Sequence, residues 1–158
     1  MAKQIPLTKG MFATVDDKDY EFLNQWKWFC STTGYAVRTD RTNGEQKRVR
    51  MHRILIEAKG NECVDHVNMD RLDNRRSNLR IADKTENGMN RGVPSNNKTG
   101  YKGVHFRHDT KKYRAYISRD GKRRNLGHFY SIIEAAKAYN NAAREYYGEF
   151  AKLNVILE

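Results

Sequence analysis

The sequence predicts an α+β protein made of two small parts. Short runs rich in aromatic and β-branched residues predict strands, and one stretch with alanines at three- and four-residue spacings predicts a helix near the end of the chain. Residues 91–100, RGVPSNNKTG, collect Gly, Pro, Ser and Asn without apolar periodicity, which is typical of a linker. With 158 residues in total, each part can bury only a thin core.

The charge of the chain indicates the class of its partner. Thirty Lys and Arg against nineteen Asp and Glu leave a net charge of +11, and residues 98–128 carry ten Lys and Arg but only two acids. We therefore expect a polyanion as partner. There is no apolar run of membrane-spanning length and no apolar signal core in MAKQIPLTKG. We expect no membrane association and a location in a reducing cytoplasm.

The cysteines bear on metal and disulfide chemistry. Cys30 and Cys63 are the only two, and neither has a partner at C-x-x-C spacing. We expect no structural zinc and no disulfide.

The first 60 residues predict short strands at MFATV, WKWFC and GYAVRTD. The pair Asn43-Gly44 is typical of a type I′ hairpin turn leading into QKRVRMH. The acidic run DDKDYEFLNQ indicates a turn or a short helix. No motif in residues 1–50 indicates their role.

Residues 64–90 contain five asparagines, four aspartates and a single histidine. Asp65 and His66 follow a short apolar lead, as at the end of a strand, and DRLDNRRSNL is a polar loop. IADKTENGMN then predicts a helix, with Asp83 and Glu86 near its positive N-terminal end. A strand, a loop and a helix in this order would bring the two ends of the segment together.

This grouping fits metal-assisted hydrolysis. A carboxylate at Asp65 and an amide oxygen at Asn87 are hard ligands of the kind that suits magnesium. An imidazole that does not bind the metal, His66, could take a proton from water near neutral pH. These parts fit phosphodiester hydrolysis, with a histidine in a purely structural role as the alternative.

DHVNMDRLDNRRSNL followed by ENGMN resembles the HNH endonuclease family, particularly the phage and intron-encoded homing type, over residues 50–92. The resemblance implies a ββα-metal module in which Asp65 is the first metal ligand, His66 the general base, Asn78 the brace of the loop and Asn87 the second ligand. Many relatives have histidine at the last position. The asparagine here favours Mg²⁺ or Mn²⁺ over zinc.

Two of these roles have alternative assignments. Asn90 could replace Asn87 as ligand if the helix begins later, and Asn74 could replace Asn78 as brace.

Four further residues have less defined roles. His52 is expected to support the active-site sheet, with a direct substrate role as the alternative. Arg75, Arg76 and Arg80 are candidates either for phosphate contacts or for solvated surface charge.

The second part predicts three strands, YKGVHFRH, KKYRAYISRD and KRRNLGHFY, the last two joined through Asp120-Gly121. Ser131 and Glu134 fit a capping box at the start of a helix, and Gly148 fits its end. Strand alternation predicts an apolar face toward the helix, made of Val104, Phe106, Tyr113, Ala115, Ile117 and Leu126. It predicts an opposite cationic face made of His105, Arg107, Arg114, Tyr116, Arg123 and Asn125.

TGYKGVHFR, KKYRAYI, LGHF, EAAKAYNNAA and G-x-x-A-x-LN are similar to the APETALA2-type DNA-binding domain of plant ethylene-response factors, over about residues 99–155. This resemblance implies DNA contacts at Lys102, His105, Arg107, Tyr116, Arg123, Asn125, His128 and Tyr139, and Arg114 joins them through its place on the cationic face. Tyr116, Ser118 and Asn125 differ from the plant pattern, so no target sequence is implied.

Together these features predict a nuclease domain over residues 1–92, a linker over 93–99 and a DNA-binding domain over 100–158. The expected function is a sequence-directed, homing-type endonuclease that cuts double-stranded DNA, encoded by a phage and acting in the cytoplasm of its bacterial host. The alternatives are a non-catalytic DNA-binding regulator that keeps the HNH scaffold, and an RNA-binding protein. No protein partner or oligomeric state is indicated.

Overall fold

The computed structural model describes residues 1–119 and 121–156, and only the backbone of Asn43, Lys84 and Thr85. The chain forms two compact units, Met1–Asp83 and Lys84–Glu158. Each unit combines short strands with helices, which confirms the predicted α+β class. Within the described ranges, no helix is long and apolar enough to cross a membrane.

The first unit opens with an antiparallel strand pair, β1 (Ala2–Pro6) and β2 (Phe12–Asp16), followed by helix α1 (Asp17–Asn24). The prediction at MFATV is confirmed, and DDKDYEFLNQ forms a helix. Strand β1 was not predicted, because Ile5 is its only buried residue and so it has no apolar alternation.

A three-stranded antiparallel sheet follows, with β3 (Phe29–Cys30), β4 (Ala36–Asp40) and β5 (Lys47–Arg50) in that order. The strand expected at WKWFC is only two residues long, and the buried Trp28 just before it donates its indole N–H to the Leu23 carbonyl of α1 at 2.8 Å. Strands β4 and β5 form the expected hairpin. A 3-10 turn at Thr42–Gly44 joins them in place of a two-residue turn.

Helix α2 (Met51–Leu55) leads to the antiparallel pair β6 (Cys63–His66) and β7 (Leu79–Ala82). The helix predicted from IADKTENGMN therefore begins later than expected, because Ile81 and Ala82 belong to β7. The core of the first unit joins β1, β2, α1, β4, α2 and β7, with buried side chains at Ile5, Leu7, Ala13, Val15, Leu23, Trp28, Ala36, Met51, Leu55 and Leu79.

The second unit contains helix α3 (Lys84–Met89), strands β8 (Val104–Arg107), β9 (Lys112–Arg119) and β10 (Lys122–Phe129), and helix α4 (Ile132–Tyr147). The antiparallel sheet has the order β8-β9-β10, so the predicted sheet and helix are confirmed. Asp120, from the predicted Asp120-Gly121 turn, lies outside the described residues. The pairing of β10 with β9 shifts register between Asn125 and Gly127.

Helix α4 begins at the predicted N-cap, Ser131, and is followed by the predicted Gly148. The Ser131 hydroxyl accepts hydrogen bonds from the backbone N–H groups of Ile133 and Glu134, and Gly148 follows the last turn with φ 53°. Small residues pack the helix against the sheet, where Ala135, Ala136 and Ala143 are all 0% exposed.

The segment expected to be a linker is part of the second unit. The Asn97 backbone N–H donates to the Pro94 carbonyl, and its side-chain amide donates to the Tyr101 carbonyl. The Lys102 ammonium donates at 2.6 Å to the carbonyls of Met89 and Arg91. These bonds join residues 89–101 to the rest of the second compact unit, which begins at Lys84, while the linker at 93–99 stays a prediction.

Candidate functional site

Strand β6 ends with the two residues on which the sequence argument depends. Asp65 and His66 are each 5% exposed. In the hairpin register Asp65 lies opposite Arg80 and His66 opposite Leu79. The hairpin thus fixes both side chains in the interior of the first unit.

The loop between β6 and β7 is held by Asn78. Its Oδ1 accepts the backbone N–H of Asn68 at 2.9 Å, and its Nδ2 donates to the Asp73 carbonyl at 2.8 Å. The Asn78 carbonyl accepts the N–H of Val67 at 2.9 Å. These bonds cross the loop from side to side, and the role of Asn78 as the brace stays a prediction.

Asn74, the alternative brace, ties the same loop to β2. The Thr14 carbonyl accepts the Asn74 N–H at 2.7 Å, and Thr14 donates its own N–H to the Leu72 carbonyl at 2.8 Å. Asn74 is 0% exposed and donates its amide to Leu72 at 3.0 Å. Residues 1–50, whose role the sequence did not indicate, thus supply the strand on which the loop rests.

All three arginines that follow the motif pair with carboxylates. Arg75 binds Asp73 at 2.6 Å, Arg76 binds Asp19 at 2.9 Å and Arg80 binds Asp65 at 2.7 Å. The pKa of Asp73 is lowered, mainly by the hydrogen bonds that Arg75 donates to its carboxylate. The guanidinium groups of all three arginines are therefore already paired with carboxylates of the first unit.

The Asp65–Arg80 pair is the most enclosed of the three. The two side chains are 6% and 14% exposed, and Arg80 donates both Nε, at 2.9 Å, and Nη2, at 2.7 Å, to Oδ2 of Asp65. Such a two-pronged contact orients the carboxylate as well as neutralising it.

Two aromatic rings surround His66. Its ring centroid lies 5.1 Å from that of His52, at 87°, and 5.9 Å from that of Tyr35. Burial lowers the pKa of His66, while a hydrogen bond with Asn74 and the nearby charge of Asp65 act in the opposite direction. The imidazole is therefore neutral at neutral pH, which is the form able to accept a proton.

His52 belongs to the packing around His66. It is 4% exposed on α2, and its ring centroid lies 4.9 Å from that of Tyr35. Burial and the neighbouring His66 lower the pKa of His52 to about 3. This position agrees with the structural role expected from the sequence.

Comparisons with known proteins bear on this site. A family model described as HNH endonuclease matches residues 49–89, close to the predicted span. An uncharacterized HNH endonuclease of Acanthamoeba polyphaga mimivirus is 31% identical over 150 residues, which cover 94% of this chain and 77% of that protein. This chain belongs to the HNH endonuclease family. Protein 3.8 of Escherichia phage T7 is 28% identical over 89 residues, 56% of this chain and 73% of that protein. No solved structure matches significantly.

Membership in the HNH endonuclease family implies DNA as substrate and the use of a divalent metal ion. Asn87, the second expected ligand, lies on α3 in the second unit and is half-buried, and Asn90 just beyond it is 5% exposed. Which of these two asparagines is the second metal ligand stays a prediction. Within residues 1–119 and 121–156, no three His, Cys, Asp or Glu side chains form a metal-binding group.

The sheet of this HNH protein's second unit has the predicted polar face. Cross-strand pairs set His105, Arg114 and His128 in one row and Tyr116 with Asn125 in the next. These pairs place the residues side by side on the face opposite α4.

Contacts on that face already order several side chains. Arg114 donates to Asn125 at 3.1 Å, and the Arg123 guanidinium lies 4.3 Å from the Tyr116 ring centroid. Arg107 forms an ion pair with Asp109 at 2.5 Å. Arg107 is thus partly neutralised within its own loop.

Two residues that the APETALA2 resemblance placed on DNA have other positions. Tyr139 is 2% exposed and packs with Ile117 and Ala143, because its large ring fills the space between sheet and helix. Lys102 directs its ammonium to the Met89 and Arg91 carbonyls, and burial lowers its pKa to about 8. The structure assigns Tyr139 to the core and Lys102 to the bond network of the second unit.

Sequence reasoning missed several neighbours of the HNH site. Tyr35 was not assigned, and Arg80 was expected to contact phosphate or solvent, whereas it pairs with the buried Asp65. The hairpin register would have placed Arg80 opposite Asp65, but that register depends on the exact end of the loop. Tyr35 comes from a different sheet and carried no signal.

Proposed function

We propose that this HNH endonuclease is a sequence-directed enzyme of the homing type that cuts duplex DNA, with His66 as general base. The observation that carries the proposal is the setting of His66. It is a buried imidazole kept neutral near neutral pH, next to Asp65, at the end of a strand whose loop is braced by Asn78.

In the proposed reaction His66 takes a proton from a water molecule, and the water oxygen attacks phosphorus. The bond between phosphorus and the 3′ oxygen then breaks, and that oxygen leaves and gains a proton from solvent. Asn78 keeps the loop in one conformation, and Arg80 orients the Asp65 carboxylate. Because these groups are in place before the substrate arrives, the activation barrier includes no cost of reorganising the site.

The donor set fits a hard divalent cation. We propose Asp65 and Asn87 as protein ligands of one Mg²⁺ or Mn²⁺, since carboxylate and amide oxygens suit these ions. The bound ion would stabilise the negative charge that develops on the phosphate and on the 3′ oxygen. Both contacts from Arg80 end on Oδ2 of Asp65, so a bound ion would have to share this carboxylate with Arg80.

We propose that the second unit holds the recognition site, as an APETALA2-like sheet. The polar face of β8–β10 combines arginine, histidine, tyrosine and asparagine side chains, a mixture able to contact both phosphates and base edges. The major groove is wide enough to admit strands. The matched relatives are viral proteins, which supports a phage gene expressed in the host cytoplasm.

One observation favours a second candidate, a DNA-binding regulator without nuclease activity. The ion pair between Asp65 and Arg80 neutralises the carboxylate that a metal would need. A regulator of this kind would bind duplex DNA in the same way and cut none of it.

A cleavage assay decides between the two. Supercoiled plasmid is incubated with the full chain and magnesium, manganese or EDTA, and the same assay is run with His66→Ala. We expect cleavage that needs the metal, its loss in His66→Ala, and a DNA affinity for that variant within a few-fold of the parent chain. His108→Ala is the matched control, because His108 is exposed and lies in the second unit. Near-normal cleavage by His66→Ala would remove His66 from the mechanism.

A further inference from the structure

Two arginines lie beside the active site, against the ring of Tyr35. Arg50, the last residue of β5, and Arg71, in the β6–β7 loop, are both exposed. Neither makes an ion pair with any residue that the structure describes, in contrast to Arg75, Arg76 and Arg80. Their charge is therefore available to a partner.

Both guanidinium groups lie against one ring. Their Cζ atoms are 5.6 Å and 5.0 Å from the ring centroid of Tyr35, for Arg50 and Arg71 respectively. Two cations gathered on one ring repel each other, and an anion between them removes that cost. A guanidinium that lies against a ring also keeps its N–H groups for a phosphate, which it can bind with two hydrogen bonds.

The Tyr35 ring links this pair to the proposed general base. Its centroid lies 5.9 Å from that of His66. An anion bound by Arg50 and Arg71 is consequently a neighbour of the site where His66 acts.

The pair is held in place before any ligand binds. Arg71 donates Nη1 to the Thr33 carbonyl at 2.7 Å. The Thr33 carbonyl belongs to a tight turn. In this turn the Ser31 carbonyl accepts the Gly34 N–H at 2.9 Å, and the Ser31 hydroxyl accepts the Tyr35 N–H at 3.1 Å. The turn fixes the carbonyl that binds Arg71 as well as the ring on which both arginines lie.

We propose that Arg50, Arg71 and Tyr35 form a clamp for the DNA backbone, which binds phosphates next to the one attacked with the help of His66. That the clamp lies next to the cut rests on the proposed function, in which His66 is the general base. Its chemistry, two guanidinium groups on an aromatic platform, is that of a phosphodiester-binding surface. It differs from the polar sheet face of the second unit, which we propose as the recognition surface.

The test measures binding of the full chain to a short duplex by fluorescence anisotropy in EDTA, over a series of salt concentrations. Removing one interaction with a phosphate flattens the slope of log K against log salt by about 0.9. We expect this change for Arg50→Gln and for Arg71→Gln, and a partial return toward the parent slope for Arg71→Lys. Thermal unfolding of each variant verifies that the fold is intact.

Arg48→Gln is the matched control. Arg48 is an exposed arginine on the same strand as Arg50, with its Cζ atom 4.8 Å from the ring centroid of Phe29 and not of Tyr35. We expect its slope to change by less than half as much. Unchanged slopes in Arg50→Gln and Arg71→Gln, or an equal change in Arg48→Gln, would overturn the clamp.

The kinetics of plasmid cleavage test the clamp and the proposed function independently. We expect Arg50→Gln and Arg71→Gln to raise KM several-fold and to leave kcat nearly unchanged, since they act on binding. If the parent chain cuts no plasmid, the proposed function fails, and the salt slopes still decide whether the clamp binds DNA.

Discussion

Asp65 and Asn87 are the residues on which the metal proposal depends, and they differ in strength as ligands. A carboxylate binds a divalent ion more tightly than a neutral amide does. We expect Asp65→Ala to abolish metal-dependent cleavage and Asn87→Ala to weaken it. Excess manganese should partly rescue Asn87→Ala, because Asp65 still holds the ion. The measurement is the initial rate of plasmid nicking against metal concentration, and equal cleavage in EDTA and in magnesium would contradict the metal site.

His52 makes the stability of the first unit depend on pH. The unfolded chain binds a proton at this side chain near pH 6.5, whereas burial holds the pKa in the folded protein at about 3. The contribution of neutral His52 is therefore fully present above about pH 6.5 and is lost as the pH falls toward 3. At about pH 4.5 the loss is roughly 2–3 kcal/mol.

The experiment compares urea unfolding of the parent chain and of His52→Gln between about pH 7 and about pH 4.5. We expect the free energy of unfolding of the parent chain to fall more steeply than that of the variant. Parallel pH profiles would show that His52 is protonated in the folded protein.

At this scale the sequence predicted the polar residues of the motif better than their neighbours. Asp65, His66 and Asn78 stand in one segment whose spacing has a chemical meaning. Tyr35 lies beside His66 only because the turn before β4 reaches it through the fold. Contacts of this kind depend on tertiary packing, for which a single sequence has no local signal.

Among the elements, the strands of the second unit were predicted more accurately than those of the first. Strands β9 and β10 are each eight residues long, and β9 has apolar alternation, while β3 has two residues and β1 has one buried side chain. Short strands carry too few residues for a period to be recognised. The register shift between Asn125 and Gly127 also had no sequence signal beyond a glycine.

Gly103, at the entry to β8, tests how closely α4 packs on the sheet. Its φ is 72°, and a Cβ atom there would lie 2.1 Å from the Tyr139 ring and 2.6 Å from the Tyr116 carbonyl. We expect Gly103→Ala to lower the free energy of unfolding of the second unit by roughly 2–5 kcal/mol, from backbone strain and overpacking together. Chemical denaturation followed by tyrosine fluorescence measures this loss.

Gly100→Ala is the matched control. Gly100 has φ 75°, and a Cβ atom added there would have no other atom within 4 Å. This variant should lose only the strain of the left-handed conformation, roughly 1–2 kcal/mol. Equal losses for the two variants would mean that the Tyr139 ring moves aside.

For the whole molecule, the division of the chain decides which fragments fold. A linker at 93–99 would favour a fragment that begins at residue 95. The structure places Met89 at 8% exposure in the core of the second unit, together with Ile117 and Tyr139. The sequence could not show this, because one apolar residue among polar ones has no period.

We therefore expect residues 84–158 to form a more stable fragment than residues 95–158. The longer fragment keeps the buried Met89 side chain and the carbonyls of Met89 and Arg91 that bind the Lys102 ammonium. Losing a buried methionine side chain costs about 2 kcal/mol or more, and the buried ammonium would also lose two acceptors. Thermal unfolding of the two fragments at equal concentration measures the difference, and equal midpoints would show that residues 84–94 do not belong to this unit.

The longer fragment also tests which unit reads DNA. Its sheet face carries Arg114 and Arg123 without a carboxylate partner among the described residues, whereas Arg107 is paired with Asp109. We expect residues 84–158 to bind duplex DNA at low salt, and Arg123→Ala to flatten the salt dependence of log K by about 0.9. Arg107→Ala should flatten it less, because Asp109 already offsets its charge. If this fragment binds no DNA at low salt, or residues 1–83 bind the target as tightly as the intact chain, the sheet of the second unit is not the recognition surface.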